Sequence, residues 1–513
     1  MKTFYSHTEQ PAGASRESVP STVRCLTAGG DERIALDAVT GLNKYGCRPF
    51  PDPEMLEYGS STASIISIAG YQCANRLRKH LQKAVSTASH STVYSREIGR
   101  IRAELLQLCE LPDTTDMIFS PSGTEVHTIA AHYAGSGESK PARIVMIEAN
   151  ETGKGVAAAL DGTCLNEKIG CHTPELVQVC VRLDDGTLRT QTDIEADIET
   201  LVSDAVASDR RVLLIVLDQS KTGLIAPSLG CVLALHHRFQ NKIDVLIDAC
   251  QFRVAPPTLR AYLEQGFMIA LTGSKFMTGP SFSGVLLVPQ KMAQQLSLRP
   301  FPAVLTDSLA RENWPLNWAM PENLAQIANF GLLLRWEAAL HELRTFSSVP
   351  QATVIGFLQH FASAIQQRLN EDPFLESLPT LQLDRRPLIA SNNWDHLQTI
   401  FPFLLYHADA ERTPLNAEET LHVYRQLSLN LNENHILNPE HPDAPIAAIR
   451  CQVGQPVACG KRNGIAVSAL RLCISARLVV KAAADGDKGV AVIAEALAVL
   501  DKTVLLIRVL PKS

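Results

Sequence analysis

Short buried strands that alternate with amphipathic helices occupy residues 90–290, and this alternation restricts the fold more than any other feature of the sequence. Near-continuous runs of Val, Ile and Leu predict the strands, which are residues 116–120, 143–149, 211–218, 244–249, 268–272 and 285–288. Apolar residues at helical spacing predict helices between them, for example at 96–110 and 193–206. Because such strands lack polar alternation, both sheet faces must be covered, which predicts an α/β fold with a mostly parallel sheet.

The composition limits the partners and the compartment. The 513 residues carry a formal net charge of −6, which gives no general attraction to nucleic acid or anionic membranes. No apolar run reaches the roughly 18 residues that span a bilayer, and no apolar segment near the start indicates a secretory signal. Twelve cysteines without a C-x-x-C pair are typical of reduced thiols. We therefore expect a cytoplasmic protein without nucleic-acid or membrane partners.

Polar groups follow the predicted strands at their carboxyl ends, where open α/β sheets bind ligands. The run S-G-T-E at 122–125 joins a strand to a helix. It could bind a phosphate through free backbone N–H groups and the Thr124 hydroxyl, or it could be a plain helix N-cap. The run S-K-T-G at 220–223 follows another strand and forms either a polar wall or a simple turn.

A carboxylate and a lysine follow the next two strands. Asp248 ends one strand, and it either has a chemical task or caps the following helix; Gln251 comes three residues later. Lys275 follows the other strand within T-G-S-K, and it is either a surface lysine or a Schiff-base nucleophile. A phosphate pocket, a carboxylate for a ring nitrogen and a lysine for an aldehyde are together what pyridoxal phosphate requires.

In this order the motifs resemble the class V aminotransferase and cysteine desulfurase superfamily, which has the type I pyridoxal-phosphate fold. The resemblance covers about residues 60–502 and depends on S-G-T-E, S-K-T-G-L-I-A-P, D-A-C-Q, G-S-K-F-M-T-G-P and L-R-L-C-I-S. It implies a seven-stranded sheet in a large domain at 60–325, a smaller α+β domain at 326–513 and an N-terminal segment at 1–59. It also implies a homodimer, whose active sites lie at the subunit interface.

The resemblance assigns a role to each motif residue. Lys275 would form the Schiff base with the cofactor, and Asp248 would hold the pyridine nitrogen protonated. Arg471 would bind the substrate α-carboxylate, with an ordinary salt bridge as the alternative. The other cofactor contacts would come from Gly123, Thr124, Thr272 and Ser274 at the phosphate, Ser220 or Gln219 near the ring oxygen, and Gln251 facing the ring hydroxyl. We expect no metal site.

The sequence departs from the family pattern in three places. A stretch that often ends in a ring-stacking histidine reads E-A-N-E-T, so Asn150 is the candidate for stacking. Ala319-Met320 stands where a partner-subunit Gly-Thr commonly completes the phosphate site, which argues against a cross-subunit contact there. Val453 occupies the position of the persulfide-forming cysteine, and Cys451 lies two residues earlier, about 7 Å away along a strand.

The implied activity is that of a pyridoxal-phosphate-dependent enzyme that acts on a small L-amino acid through a Cα carbanion. A lyase or a carbon–carbon bond-forming reaction at Cβ is the first expectation. Class V transamination and cysteine-desulfurase-like C–S cleavage are the alternatives within the enzymes. A protein that binds the cofactor without catalysis is the alternative from another class, and it would lack Lys275 or Asp248, which are both present.

Overall fold

The computed structural model describes residues 18–509 except positions 154, 161–173, 300, 302–304, 306–308, 320–323, 325–326, 391–392, 410, 434–436 and 439. The described strands, in chain order, are β1 (Met55–Tyr58), β2 (Asp116–Ser120), β3 (Arg143–Ile147), β4 (Glu175–Val179), β5 (Val212–Asp218), β6 (Ile225–Ala226), β7 (Ile243–Asp248), β8 (Met268–Thr272), β9 (Gly284–Val288), β10 (Leu375–Ser377), β11 (Ile400–Leu405), β12 (Arg450–Arg462) and β13 (Ile465–Cys473).

The described α-helices, in chain order, are α1 (Thr22–Leu26), α2 (Ile68–Ala84), α3 (His90–Leu108), α4 (Gly123–Gly135), α5 (Val156–Leu160), α6 (Gln191–Ala207), α7 (Leu229–Arg238), α8 (Pro256–Glu264), α9 (Gln290–Ser297), α10 (Phe330–Ser347), α11 (Gln351–Glu371), α12 (Ala417–Gln426), α13 (Ala444–Ala448), α14 (Ala476–Ala484) and α15 (Val490–Val509). Within this described part of the chain, no helix is both long and apolar enough to cross a membrane.

The larger sheet has the strand order β2-β9-β8-β7-β5-β3-β4. Strand β9 runs antiparallel to both of its neighbours, and the other adjacent pairs on this path from β8 to β4 are parallel. The predicted, mostly parallel seven-stranded sheet is therefore confirmed, with the two-residue strand β6 as an extra pairing beside β5. The six predicted strands agree with β2, β3, β5, β7, β8 and β9 to within two residues at each end.

The strands that could be predicted from the sequence are the ones that are buried on both faces of the sheet. Every residue of β5, β7, β8 and β9 is buried, because helices cover both faces of the sheet. Strand β4 was missed because it lies at the edge, where only its last residue is fully buried and its pattern of apolar residues is broken. Since β7 and β8 are adjacent and parallel, their last residues, Asp248 and Thr272, reach the same edge of the sheet.

A second sheet has the strand order β1-β12-β13-β11-β10. Its edge strand β1 comes from the N-terminal part of the chain and pairs in parallel with β12, where Tyr58 lies opposite Val453. The segment at 1–59 is thus tied to the same sheet as residues 375–473, although the domain limits themselves stay a prediction. Helix α10 begins at Phe330, where Asn329 caps it by accepting the Leu332 N–H at 3.0 Å.

Arg335 in α10 fastens the N-terminal segment to the rest of the chain. Its guanidinium is fully buried and donates to the carbonyl oxygens of Ala28 and Phe282, each at 2.7 Å, and to that of Gly29 at 3.3 Å. Burial lowers the pKa of Arg335 to about 9. Gly331 in the same helix has no room for a side chain, since a Cβ would lie 2.4 Å from the Cys25 carbonyl oxygen. Residues 25–29 are therefore held against α10 and the loop that follows Lys275.

We predict that Arg335→Met lowers the free energy of unfolding by about 2 kcal/mol, because buried carbonyl groups lose their hydrogen-bond donor. Urea unfolding measures the change, and limited proteolysis shows earlier cleavage before residue 30. Arg344→Met is the control on the same helix, since its ion pairs with Glu104 and Glu337 are partly exposed and worth less than about 1 kcal/mol. Equal losses in both variants would contradict this role for Arg335.

Candidate active site

The N-terminus of α4 forms one wall of the site. Ser122 is the N-cap, and its hydroxyl accepts the Thr124 N–H at 3.2 Å. Gly123 has no space for a side chain, because a Cβ would lie 2.8 Å from the Cys250 Sγ and 3.1 Å from the Thr272 Cγ2. Glycine therefore lets the helix approach the ends of β7 and β8 closely. The free N–H groups and the positive end of the helix dipole make this wall suitable for an anion.

His127 and Asp248 form a buried ion pair behind this wall. The His127 Nδ1 lies 2.6 Å from the Gly123 carbonyl oxygen, and its Nε2 lies 3.3 Å from the Asp248 Oδ2. The carbonyl oxygen can only accept, so Nδ1 carries a proton. The Nε2 contact lacks hydrogen-bond geometry, so its attraction to the carboxylate is electrostatic. The other oxygen, Asp248 Oδ1, accepts the Cys250 N–H at 3.1 Å.

The ion pair changes the pKa of both groups. Burial alone would raise the pKa of Asp248, but the charges of His127 and Lys275 outweigh burial and hold it well below its usual range. Burial alone would lower the pKa of His127, but the Asp248 charge outweighs it and raises that pKa. The Cys250 Sγ and the nearest ligand atoms of these two groups lie within 4.8 Å of one another, but burial raises the pKa of the thiol well above the ordinary value. The cluster is thus better described as an ion pair than as a metal site.

Lys275 lies half-buried in the turn after β8. The turn is held from several sides, since the Phe276 N–H donates to the Gln251 carbonyl at 3.2 Å and the Phe276 carbonyl accepts the Ala476 N–H at 2.8 Å. Gly273, before the lysine, packs so closely that a Cβ would lie 2.6 Å from the Ala339 Cβ. The structure thus brings Lys275 and Asp248 together, as the sequence predicted, at the ends of adjacent strands.

The two residues predicted to bind phosphate after β8 differ in their surroundings. The Thr272 hydroxyl donates to the Cys250 carbonyl oxygen at 2.7 Å, so its single hydrogen is already used. Ser274 is buried in the turn beside Lys275. In this arrangement Ser274 and the start of α4 are better placed to donate to a phosphate than Thr272 is.

Ser220 is held by a buried carboxylate that the sequence analysis did not notice. Its hydroxyl donates to the Glu151 Oε2 at 2.7 Å, and Glu151 also accepts from the Thr222 hydroxyl and faces Arg182 at 3.4 Å. The hydroxyl of Ser220 is therefore committed within the chain. Gln219 beside it is buried, and its amide nitrogen and oxygen both lack a hydrogen-bond partner among the described residues. Of the two residues expected near the ring oxygen, Gln219 is the one with free hydrogen-bonding groups.

Gln251 and Arg471 connect the site to the other parts of the chain. The Gln251 Nε2 donates to the Ser61 carbonyl at 3.1 Å, which uses one of its two hydrogens. Arg471 in β13 is buried and donates to the Gln455 carbonyl at 2.6 Å, to the Thr62 hydroxyl at 3.0 Å and to the backbone of Lys221 at 3.4 Å. Its Nε is buried and has no hydrogen-bond partner among the described residues.

Two predicted features, the stacking role of Asn150 and the Ala319-Met320 departure, stay predictions. Asn150 is exposed, and its amide donates to the Glu148 carboxylate at 3.3 Å. Its stacking role stays a prediction without support from the geometry. Of the Ala319-Met320 pair, Met320 lies outside the described residues, so the structure does not address the cross-subunit contact.

Two site residues escaped the sequence analysis, His127 and Arg33. His127 lies four residues after Gly123, one helical turn into α4, and this spacing was the available signal. Arg33 gave no local signal, because it reaches the site from the N-terminal segment. Its Nη1 donates to the Thr124 Oγ1 at 2.8 Å.

Neither a family model nor a curated protein matches this sequence. Solved structures do resemble it. The cystine C–S lyase C-DES, solved with its product cysteine persulfide, aligns with a TM-score of 0.53 at 13% identity over 86% of this chain and 97% of that chain. The glutamate decarboxylase domain of a Vibrio parahaemolyticus diaminobutyrate-pyruvate transaminase and L-2,4-diaminobutyrate decarboxylase gives 0.51 at 14% identity, covering 89% and 80%.

Oryza sativa TDC, solved with PLP, gives a TM-score of 0.50 at 13% identity, with 89% of this chain and 84% of that chain covered. Identities this low establish the fold and nothing finer. The chain has the type I fold of pyridoxal-phosphate enzymes, as the sequence motifs implied.

We predict that His127→Gln lowers the free energy of unfolding by about 2 kcal/mol at low pH, where the imidazole is charged. Because folding raises the pKa of His127, its stabilisation is complete below the ordinary value of 6.5 and is lost as the pH rises through the raised pKa. Urea unfolding of both proteins across this range measures the difference.

His132→Gln is the control on the same helix, because burial lowers the pKa of His132. Protonation of His132 lowers the free energy of unfolding of the wild type. As the pH falls, His132→Gln should therefore become more stable relative to the wild type. A difference between wild type and His127→Gln that does not change with pH would contradict the ion pair.

Proposed function

We propose that this chain is a pyridoxal-phosphate-dependent enzyme that acts on a small L-amino acid. The observation that carries the proposal is the buried Asp248–His127 ion pair beside Lys275, at the carboxyl ends of β7 and β8. Asp248 is not consumed by these contacts, since each carboxylate oxygen keeps a second acceptor position. A carboxylate held ionised in a buried place suits a protonated ring nitrogen.

The remaining residues fit the same cofactor. The start of α4 offers N–H groups to a phosphate, and Ser274 adds a hydroxyl. Gln219 offers a buried amide that has no partner among the described residues, as a contact for a ring oxygen requires. When bound, pyridoxal phosphate supplies an aldehyde that bonds to amines and a ring that delocalises negative charge. Folds of this type bind that cofactor in Oryza sativa TDC.

The chain's own residues would then divide the work. Asp248 keeps the ring nitrogen protonated, and His127 keeps Asp248 ionised. The Lys275 Nζ would take the Cα proton as general base and pass it, as general acid, to the group that leaves Cβ. Arg471 holds the substrate α-carboxylate through its unpaired Nε. Since a held carboxylate is not the leaving group, this arrangement favours loss of the Cα proton over decarboxylation.

The proposed reaction is a lyase-type cleavage at Cβ that uses no cysteine nucleophile. Cys451 is fully buried, and burial raises its pKa to about 12, so the thiol stays protonated. Cys459 is also buried, with a pKa raised to about 11. Val453, at the persulfide position, is paired in a strand and not presented on a loop. The similar fold of C-DES, a cystine C–S lyase, supports elimination as the reaction class.

A homodimer belongs to the same proposal. Leu298 and Leu316 are 87% and 74% exposed, and both precede Ala319-Met320, where the family pattern commonly places a partner-subunit residue. Apolar side chains this exposed are commonly covered by another chain when they cluster. A cytoplasmic location and the absence of nucleic-acid partners stay predictions.

We predict that the purified protein binds pyridoxal phosphate and gains a visible absorption band, which Lys275→Ala abolishes. Asp248→Asn should keep the band but lower the rate of Cα deuterium exchange by about a hundredfold or more, because the ring nitrogen loses its anionic partner. Lys291→Ala, on the surface helix α9, is the control and should match the wild type. A wild-type protein without the band after incubation with the cofactor would end the proposal.

Cys451→Ala should leave the turnover of any accepted amino acid within about twofold, because a buried protonated thiol cannot act as a nucleophile. The assay follows the keto acid and ammonia released from a panel of amino acids with leaving groups at Cβ. Loss of activity in this variant at normal stability would favour the desulfurase mechanism. Stoichiometric amino transfer to a 2-oxo acid would favour the aminotransferase instead.

A further inference from the structure

The N-terminal segment reaches the wall where the proposed function puts the cofactor phosphate. Arg33, between α1 and β1, donates from Nη1 to the Thr124 Oγ1 at 2.8 Å and from Nη2 to the Ser122 Oγ at 3.2 Å. These hydroxyls belong to the N-cap and the first turn of α4. We infer that Arg33 is a ligand of the cofactor phosphate, an inference that rests on the proposed function.

Two carboxylates fix the orientation of this guanidinium. Asp31 accepts from the Arg33 Nε at 2.8 Å and pairs with Nη2 at 2.7 Å, and Glu125 pairs with Nη2 at 3.0 Å. The Nε side of the group is therefore occupied, and the Nη1 side is the one turned toward Thr124. Burial opposes the charge, but Asp31 and Glu125 outweigh burial and raise the pKa of Arg33 further above its usual range. Arg33 thus stays a cation at every working pH.

A second contact, with the Phe282 ring, fixes the position of the Arg33 guanidinium relative to the loop after Lys275. Its Cζ lies 4.9 Å from the centroid of the Phe282 ring, a cation–π distance. Phe282 has a left-handed backbone, with φ of +74°, and its carbonyl is held by Arg335 at 2.7 Å. Gly30 leaves the ring its space, since a Cβ there would lie 2.6 Å from it. The same loop therefore positions the lysine and the arginine.

Glu125 gives Arg33 a second role at the proposed phosphate site, because its carboxylate has to be neutralised there. Its carboxylate lies on the first turn of α4, where it would repel a phosphate dianion if it were not neutralised. Arg33 pairs with this carboxylate and also brings a donor to Thr124. Loss of Arg33 therefore removes an attraction for the phosphate and leaves a repulsion.

The test compares a ligand that has the phosphate with one that lacks it. Apoprotein is titrated with pyridoxal phosphate and, separately, with pyridoxal, and binding is followed by absorption and tryptophan fluorescence. For Arg33→Gln we expect an increase in the Kd of pyridoxal phosphate of about ten- to a hundredfold, the range for hydrogen bonds to charged groups. The Kd of pyridoxal should change by less than about threefold.

Two further variants and a spectroscopic signal sharpen the result. Arg33→Lys should recover part of the affinity, because it keeps the charge but loses the fork geometry. It also carries the comparison if Arg33→Gln does not fold. Arg24→Gln, an exposed arginine of the same segment, is the matched control and should bind like the wild type. The ³¹P resonance of the bound cofactor should shift in both Arg33 variants and not in Arg24→Gln.

Two results would overturn the inference while the proposed function stands. Either Arg33→Gln binds pyridoxal phosphate as tightly as the wild type, or it loses affinity for both ligands equally. The second result would mean that Arg33 only fastens the N-terminal segment. A wild-type protein that binds neither ligand would instead overturn the proposed function, and the inference with it.

Discussion

A buried carboxylate needs a positive charge beside it, and at Asp248 that charge comes first from His127 and then from Lys275. This requirement ties together three parts of the sheet edge. The imidazole reaches Asp248 only because α4 begins close to β7 and β8, and Gly123 permits that approach. The anion-binding helix start, the ionised carboxylate and the lysine are therefore one unit, and a change at any of them alters the others.

Buried arginine side chains connect this unit to distant segments of the chain. Arg253, five residues after Asp248, is fully buried and donates to the Ser60 hydroxyl, the Thr399 hydroxyl and the Ile474 carbonyl. One side chain thus connects the chain after β7 to the residues just after β1 and to the ends of β11 and β13. Arg335 and Arg471 make comparable links from α10 and β13. Segments far apart in the sequence therefore surround one cleft, which is why most of the chain contributes to a single site.

Local patterns predicted the sheet, the start of α4 and the placing of Asp248 and Lys275, because each depends on burial and on parallel strands ending together. Local patterns do not indicate contacts between residues that are far apart in the sequence. Arg33 and Thr124 are 91 residues apart, and Ser220 and Glu151 are 69 apart. The sequence motif placed Ser220 at the cofactor, because no residue near Ser220 in the sequence indicates its contact with the buried Glu151 carboxylate. Asn150 was proposed from its position after a strand alone, and its stacking role stays a prediction.

The most direct test of the central claim is to treat the protein with pyridoxal phosphate, reduce it with borohydride and locate the label by peptide mass spectrometry. Borohydride makes the bond between a lysine and the cofactor aldehyde permanent, so the labelled peptide identifies the lysine. We expect one phosphopyridoxyl group per chain, on Lys275. Label on another lysine, or no label above that of the Lys275→Ala variant, would contradict it.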